Sequence, residues 1–111
     1  VEPERELSEG DELGHGFVVL DTPGHSPGHV SFWREDDRTL ICGDVFFNLN
    51  IVTFAYGLRQ PPDLFTYDVA QNRASERRLA ELDPAVVCFG HGPPLRDPAA
   101  IRAFVARLPR D

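Results

Sequence analysis

Two histidines, His25 and His29, lie in the glycine- and proline-rich stretch Pro23-Gly24-His25-Ser26-Pro27-Gly28-His29. The apolar run Phe17-Val18-Val19-Leu20 precedes it and Val30-Ser31-Phe32-Trp33 follows, so the stretch is expected to be a turn between two strands. Further on, Leu40-Ile41-Cys42 stops at Gly43-Asp44, and Val86-Val87-Cys88-Phe89 stops at Gly90-His91-Gly92. Strand after strand thus ends in His25, Asp44 or His91. Imidazole nitrogens and a carboxylate form the donor set of zinc or a related divalent ion, and neighbouring glycines let the backbone come close to it. His25 and His91 could be plain turn residues and Asp44 a turn cap. The metal reading is favoured because an acid closing an apolar run needs a partner.

Those candidates need elements to hold them. Glu35-Asp36-Asp37-Arg38 reads as the charged turn of a hairpin joining the Ser31-Phe32-Trp33 run to Thr39-Leu40-Ile41-Cys42. Residues 45–62 carry aromatics without a clean period and end in Pro61-Pro62, so they read as a long, partly apolar loop. A helix capped by Asp63 or Thr66 is expected to run to about residue 82. Val69, Leu79 and Leu82 would face inward and Arg73, Glu76, Arg77 and Arg78 outward, and Pro84 would end it. A second helix has Asp97 as its N-cap and Pro98 in its first position, with Ile101, Phe104, Val105 and Leu108 along one stripe. Trp33 and the Phe46-Phe47 pair are expected in the core. The order is strands, helix, strand, helix: an α/β chain with one mostly antiparallel or mixed sheet and covering helices.

In order and wording, the three motifs resemble the second half of the metallo-β-lactamase fold, the hydrolase superfamily that includes glyoxalase II. The resemblance runs over about residues 13–91. It implies half of an αβ/βα sandwich. It also implies that His25, the first histidine of the turn, ligates one metal, that Asp44 bridges two, and that His91 completes the second site. His29, the second histidine of the turn, would be a hydrogen-bonding support and not a ligand. The family's earlier His-x-His-x-Asp-His motif, which supplies further ligands and an aspartate that orients water, does not occur in these residues. Residues 1–111 are therefore expected to be a single domain, the C-terminal half of such a fold. Residues 1–10, acidic and polar, would be the tail of a connection to the first half. The chain starts at Val1 and contains no methionine, which fits a piece of something longer or a processed start. His15 has no companion and is expected to be a solvated loop residue.

Composition narrows the classes. A chain of 111 residues can bury about two thirds of its unfolded surface in one core. The balance of 18 acidic against 11 basic residues, a formal charge of −7, repels phosphate backbones, so nucleic acid is not an expected partner. No apolar stretch reaches the ~20 residues of a membrane span, and no leader is seen, so the cytoplasm is expected. Cys42 and Cys88 sit in apolar strand runs, without the spacing of a thiolate zinc pair, and are expected as free, buried thiols.

The resemblance implies metal-assisted hydrolysis of a small-molecule substrate in the complete protein, with one or two divalent ions. Zinc is the default, and iron or manganese suits the same donors. With three candidate ligands, the segment is expected to be inactive alone. Two other readings stay open. One is a non-catalytic half domain that dimerises or swaps elements to cover its sheet, and the other is a simple metal-binding module.

Overall fold

The computed structural model describes residues 8–109. The expected acidic tail falls largely on residues 1–7, outside them. The apolar runs form β1 (Phe17–Asp21), β2 (Val30–Arg34), β3 (Thr39–Gly43) and β6 (Val86–Phe89), ordered β1-β2-β3-β6 in one sheet. β1/β2 and β2/β3 pair antiparallel and β3/β6 parallel. β1, β3 and β6 consequently run the same way, and their C-terminal ends share one edge. The sheet is mixed and the chain is α/β, as expected from the order of elements.

Cross-strand register sorts the sheet's two faces. Trp33 pairs with Leu40, and Leu40 with Val87. That face joins Cys42, Val45, Phe46, Leu79, Ala80 and Ile101 in the core. It is thereby covered by α1 (Val69–Ala80) and α2 (Pro98–Ala106). On the opposite face the row Phe32, Ile41, Cys88 takes no part in that core, and Ile41 stays 36% exposed. Both cysteines are free thiols. Burial pushes the Cys42 thiol up to about 12, so it packs as a small hydrophobe, while Cys88 is only half-buried.

Three expectations change. Residues 45–62 are not one loop, since they contain the antiparallel hairpin β4 (Phe47–Leu49) and β5 (Tyr56–Arg59). Strands this short leave no periodic signal in sequence. The helix start lies further on as well. Residues 63–65 make a single 3-10 turn, and Asp68 caps α1 by accepting from the Gln71 amide at 3.0 Å. Lastly, Glu76 points inward and is fully buried, while Arg78 faces solvent and reaches Glu9. Asn72, Ser75, Glu76 and Leu79 share the buried face of α1, and three of these four are polar, which hides the stripe from a hydrophobicity pattern.

The Asp68 cap also bears on the histidine turn. The Asp68 amide donates to the Gly24 carbonyl at 2.7 Å and the Tyr67 amide to the His25 carbonyl at 3.1 Å. The Ser75 hydroxyl donates to the Pro23 carbonyl at 2.7 Å. Asp68→Ala should therefore lower stability by about 1 kcal/mol in denaturant titration, the usual cost of a lost N-cap.

Candidate metal centre

Each of the three candidate residues follows one of the parallel strands β1, β3 and β6, so the sheet brings them to the same edge. β3 and β6 are neighbours, and their pairing continues past the strand ends through the Gly90 amide, which donates to the Gly43 carbonyl at 2.8 Å. Between Ile41 and Gly43 the register shifts by a bulge. Gly43 then adopts φ 55°, a left-handed conformation suited to glycine, and re-aims the chain at Asp44. A Cβ on Gly43 would lie 2.9 Å from His29 Nε2, and one on Gly90 would lie 2.4 Å from Asp44 Oδ1. Both glycines make room for the site.

Asp44 stands between the two histidines. His91 Nδ1 lies 2.9 Å from Asp44 Oδ1, and His25 Nε2 lies 3.5 Å from Asp44 Oδ2. The structure thus brings His25, Asp44 and His91 together. His29 stands behind them: the Asp44 amide donates to its Nε2 at 3.3 Å. An accepting Nε2 carries no proton, so Nδ1 does, and it donates to Thr22 Oγ1 at 3.0 Å. Thr22 continues to the buried Ser31 hydroxyl at 2.8 Å. Burial, followed by the charge of nearby His25, holds the His29 pKa below the ordinary imidazole value, in keeping with this neutral tautomer. His15, by contrast, is exposed and precedes β1, at the opposite end of that strand from His25, and its carbonyl accepts from Arg34.

Sequence reasoning missed Thr22 and Ser31, although a serine inside the apolar run Val30-Ser31-Phe32-Trp33 was a signal. Phe46 is core, as expected. Phe47 is more than core, because its ring stacks on His91 at 4.4 Å and 19° and lies 6.4 Å from the His25 ring.

The donor chemistry suits a divalent ion: two imidazoles, a carboxylate, and a buried His25 Nδ1 that has no hydrogen-bond partner among the described residues. The side chains are closed on one another by the contacts just described. Among the described residues no group of three or more His, Cys, Asp or Glu side chains is spread to hold an ion.

Comparison with known proteins places this edge in context. The family model of the metallo-beta-lactamase superfamily matches residues 1–91. A probable metallo-hydrolase, YflN of Bacillus subtilis (strain 168), is 36% identical over 85 residues, covering 71% of this chain and 32% of the relative. A hydroxyacylglutathione hydrolase of Methylococcus capsulatus (strain ATCC 33009 / NCIMB 11132 / Bath) is 50% identical over 46 residues, covering 39% of this chain and 18% of the relative. The crystal structure of TTHA1623 in a di-iron-bound form superimposes with a TM-score of 0.66 at 39% identity, over 85% of this chain and 43% of that one. The matched segment spans about a third of YflN's length. With its family model matched across most of its residues, and with its sheet and helices arranged like those of solved relatives, the chain belongs to the metallo-β-lactamase superfamily.

Proposed function

We propose that this chain forms the C-terminal half of a metal-dependent hydrolase domain, with His25, Asp44 and His91 as metal ligands. Zinc is the preferred ion, and iron or manganese suits the same donors. The observation that carries the reading is the convergence of two imidazoles on one carboxylate at the shared C-terminal edge of β1, β3 and β6. A divalent ion bound there would lower the pKa of water toward neutrality and polarise an acyl or ester centre.

The chain's own residues have distinct tasks. Asp44 offers one carboxylate oxygen toward each histidine, which suits a bridging ligand. His29 holds the Asp44 backbone and so sets its direction, with Thr22 and Ser31 fixing the tautomer. Phe47 stacks on one face of His91 and fixes the plane of its ring. His29→Ala should weaken metal binding roughly 10-fold or more, the usual cost of losing an outer-shell partner. His29→Gln should recover part of that affinity, since its amide can still accept from the Asp44 N–H.

Three ligands leave the shell incomplete for two-metal catalysis, so we propose that residues 1–111 alone do not turn over substrate. Metal analysis of the purified chain, combined with assays on thioester and phosphodiester substrates, tests this. A chain that retains no metal under any loading condition would sink the ligand assignment.

The half-domain reading also has an observation in its favour. The row Phe32, Ile41, Cys88 is an apolar sheet face outside the core. In our reading it is covered by the first half of the fold, or by a second copy when the chain stands alone. Light scattering after size exclusion should show a dimer or larger species, and a clean monomer would defeat it. A cytoplasmic location completes the proposal. Among the described residues no helix is long and apolar enough to cross a membrane.

A further inference from the structure

The turn that carries His25 is seated on α1. Its carbonyls at Pro23, Gly24 and His25 accept in that order from the Ser75 hydroxyl, the Asp68 amide and the Tyr67 amide. The chain therefore reaches His25 at the start of the helix. Gly24 lies against Asn72, where a Cβ would fall 2.3 Å from the Asn72 α-carbon, and its φ of 139° favours glycine as well. Asn72 is 1% exposed, and its Nδ2 donates to the Val45 carbonyl at 3.0 Å. Asn72 thus touches the residue before His25 and the residue after Asp44.

Two buried polar atoms here are complementary. Among the described residues neither His25 Nδ1 nor Asn72 Oδ1 has a hydrogen-bond partner. An imidazole nitrogen can carry a proton to donate, whereas an amide oxygen only accepts. His25 Nε2 faces Asp44 Oδ2 at 3.5 Å, so without an ion the ring proton belongs on Nε2, toward the carboxylate. If Nε2 is to be a ligand it must give that proton up, and the neutral ring then carries its proton on Nδ1. A ligand histidine nearly always donates its other N–H to an oxygen. The Glu76 oxygens are also buried and unpartnered among the described residues, but Glu76 lies one turn further along α1, past Ser75 and away from the end that meets His25.

We propose that Asn72 is the positioning residue of His25: its Oδ1 accepts the His25 Nδ1–H when Nε2 serves as a ligand, while its Nδ2 keeps hold of Val45 beside Asp44. The role rests on the metal reading given above. One side-chain amide then sets both the tautomer of His25 and the spacing of His25 and Asp44, from a helix that carries no ligand of its own.

Zinc is the probe, and the parent chain supplies the first readout. In nitrogen NMR of the histidine-labelled chain, His25 should pass from the Nε2–H to the Nδ1–H tautomer on zinc loading, and the Nδ1 proton should exchange slowly with water. His25→Gln identifies the signal by its loss. Asn72→Leu, similar in shape, removes both bonds; it should weaken zinc about 10-fold or more and leave any Nδ1 proton in fast exchange. Asn72→Asp loses the bond to Val45 as well but keeps an acceptor, so it should bind zinc at least as tightly as the parent even where urea titration finds it as unstable as Asn72→Leu. A merely structural role would instead make zinc affinity follow stability in both variants. A rapidly exchanging Nδ1 proton in the zinc-loaded parent, or parent-like zinc affinity in Asn72→Leu, overturns the proposal and leaves the metal reading standing. Loss of the slow proton in Glu76→Leu but not in Asn72→Leu gives the role to Glu76 and overturns it too. If the parent retains no zinc, both fall.

Discussion

Asp44→Asn should reduce zinc binding by the chain by more than roughly 100-fold, beyond the loss expected from an outer-shell partner. The carboxylate faces both histidines, one oxygen toward each, and asparagine keeps its shape while removing the charge a divalent ion needs. His91→Ala should match it. Competition against a chromophoric chelator measures both. In hydrolysis assays the parent chain should stay at the free-metal background, and supplying a segment that bears a His-x-His-x-Asp-His motif should raise it. Unchanged zinc affinity in Asp44→Asn would remove the carboxylate from the site. Turnover by the parent chain, abolished by His91→Ala, would show that three ligands suffice.

Glu76→Gln should stabilise the chain by roughly 3 kcal/mol at pH 7 and by less than about 1 kcal/mol at pH 5. Glu76 is fully buried, and among the described residues neither carboxylate oxygen has a hydrogen-bond partner. Burial pushes its pKa from 4.5 up to about 8, against a smaller opposing pull from Arg73 and Arg77. In the unfolded chain the group loses its proton near 4.5, whereas in the folded chain it keeps it to about 8. Stability must fall as pH rises between those values, because folding then has to take up a proton. Glutamine removes that dependence while keeping the shape. Urea titrations of both proteins at pH 5 and pH 7 isolate the effect as a difference. An equal gap at the two pH values would mean that Glu76 reaches water or a partner in solution.

That buried acid marks where one-dimensional reading fails. On α1 the periodic signal expected at Glu76 is an outward charge, yet Asn72, Ser75 and Glu76 share the buried face with Leu79. Asn72 and Ser75 find backbone carbonyls, of Val45 and Pro23, that are distant in sequence. No local pattern contains those partners. The same holds for β4 and β5, whose pairing of Phe47 with Arg59 spans a loop and whose strands are too short to show alternation.

What the sequence determined by itself was the set of candidate donors and the strands that end in them. Apolar runs stopped by glycine, aspartate and histidine are local features, and local rules read them: alternation and β-branched residues for the strands, glycine where a turn or bulge needs it. Asp97 and Pro98 likewise announced α2 through capping, an interaction contained within one turn of chain. Only the tertiary structure decided the rest. The parallel course of β1, β3 and β6 gathers His25, Asp44 and His91 at one edge. The bulge at Gly43 lets the Asp44 amide reach His29, and the β4–β5 hairpin sets Phe47 on the His91 ring. Each of these joins residues far apart along the chain, and such contacts follow from how the sheet is assembled, which no window of sequence contains.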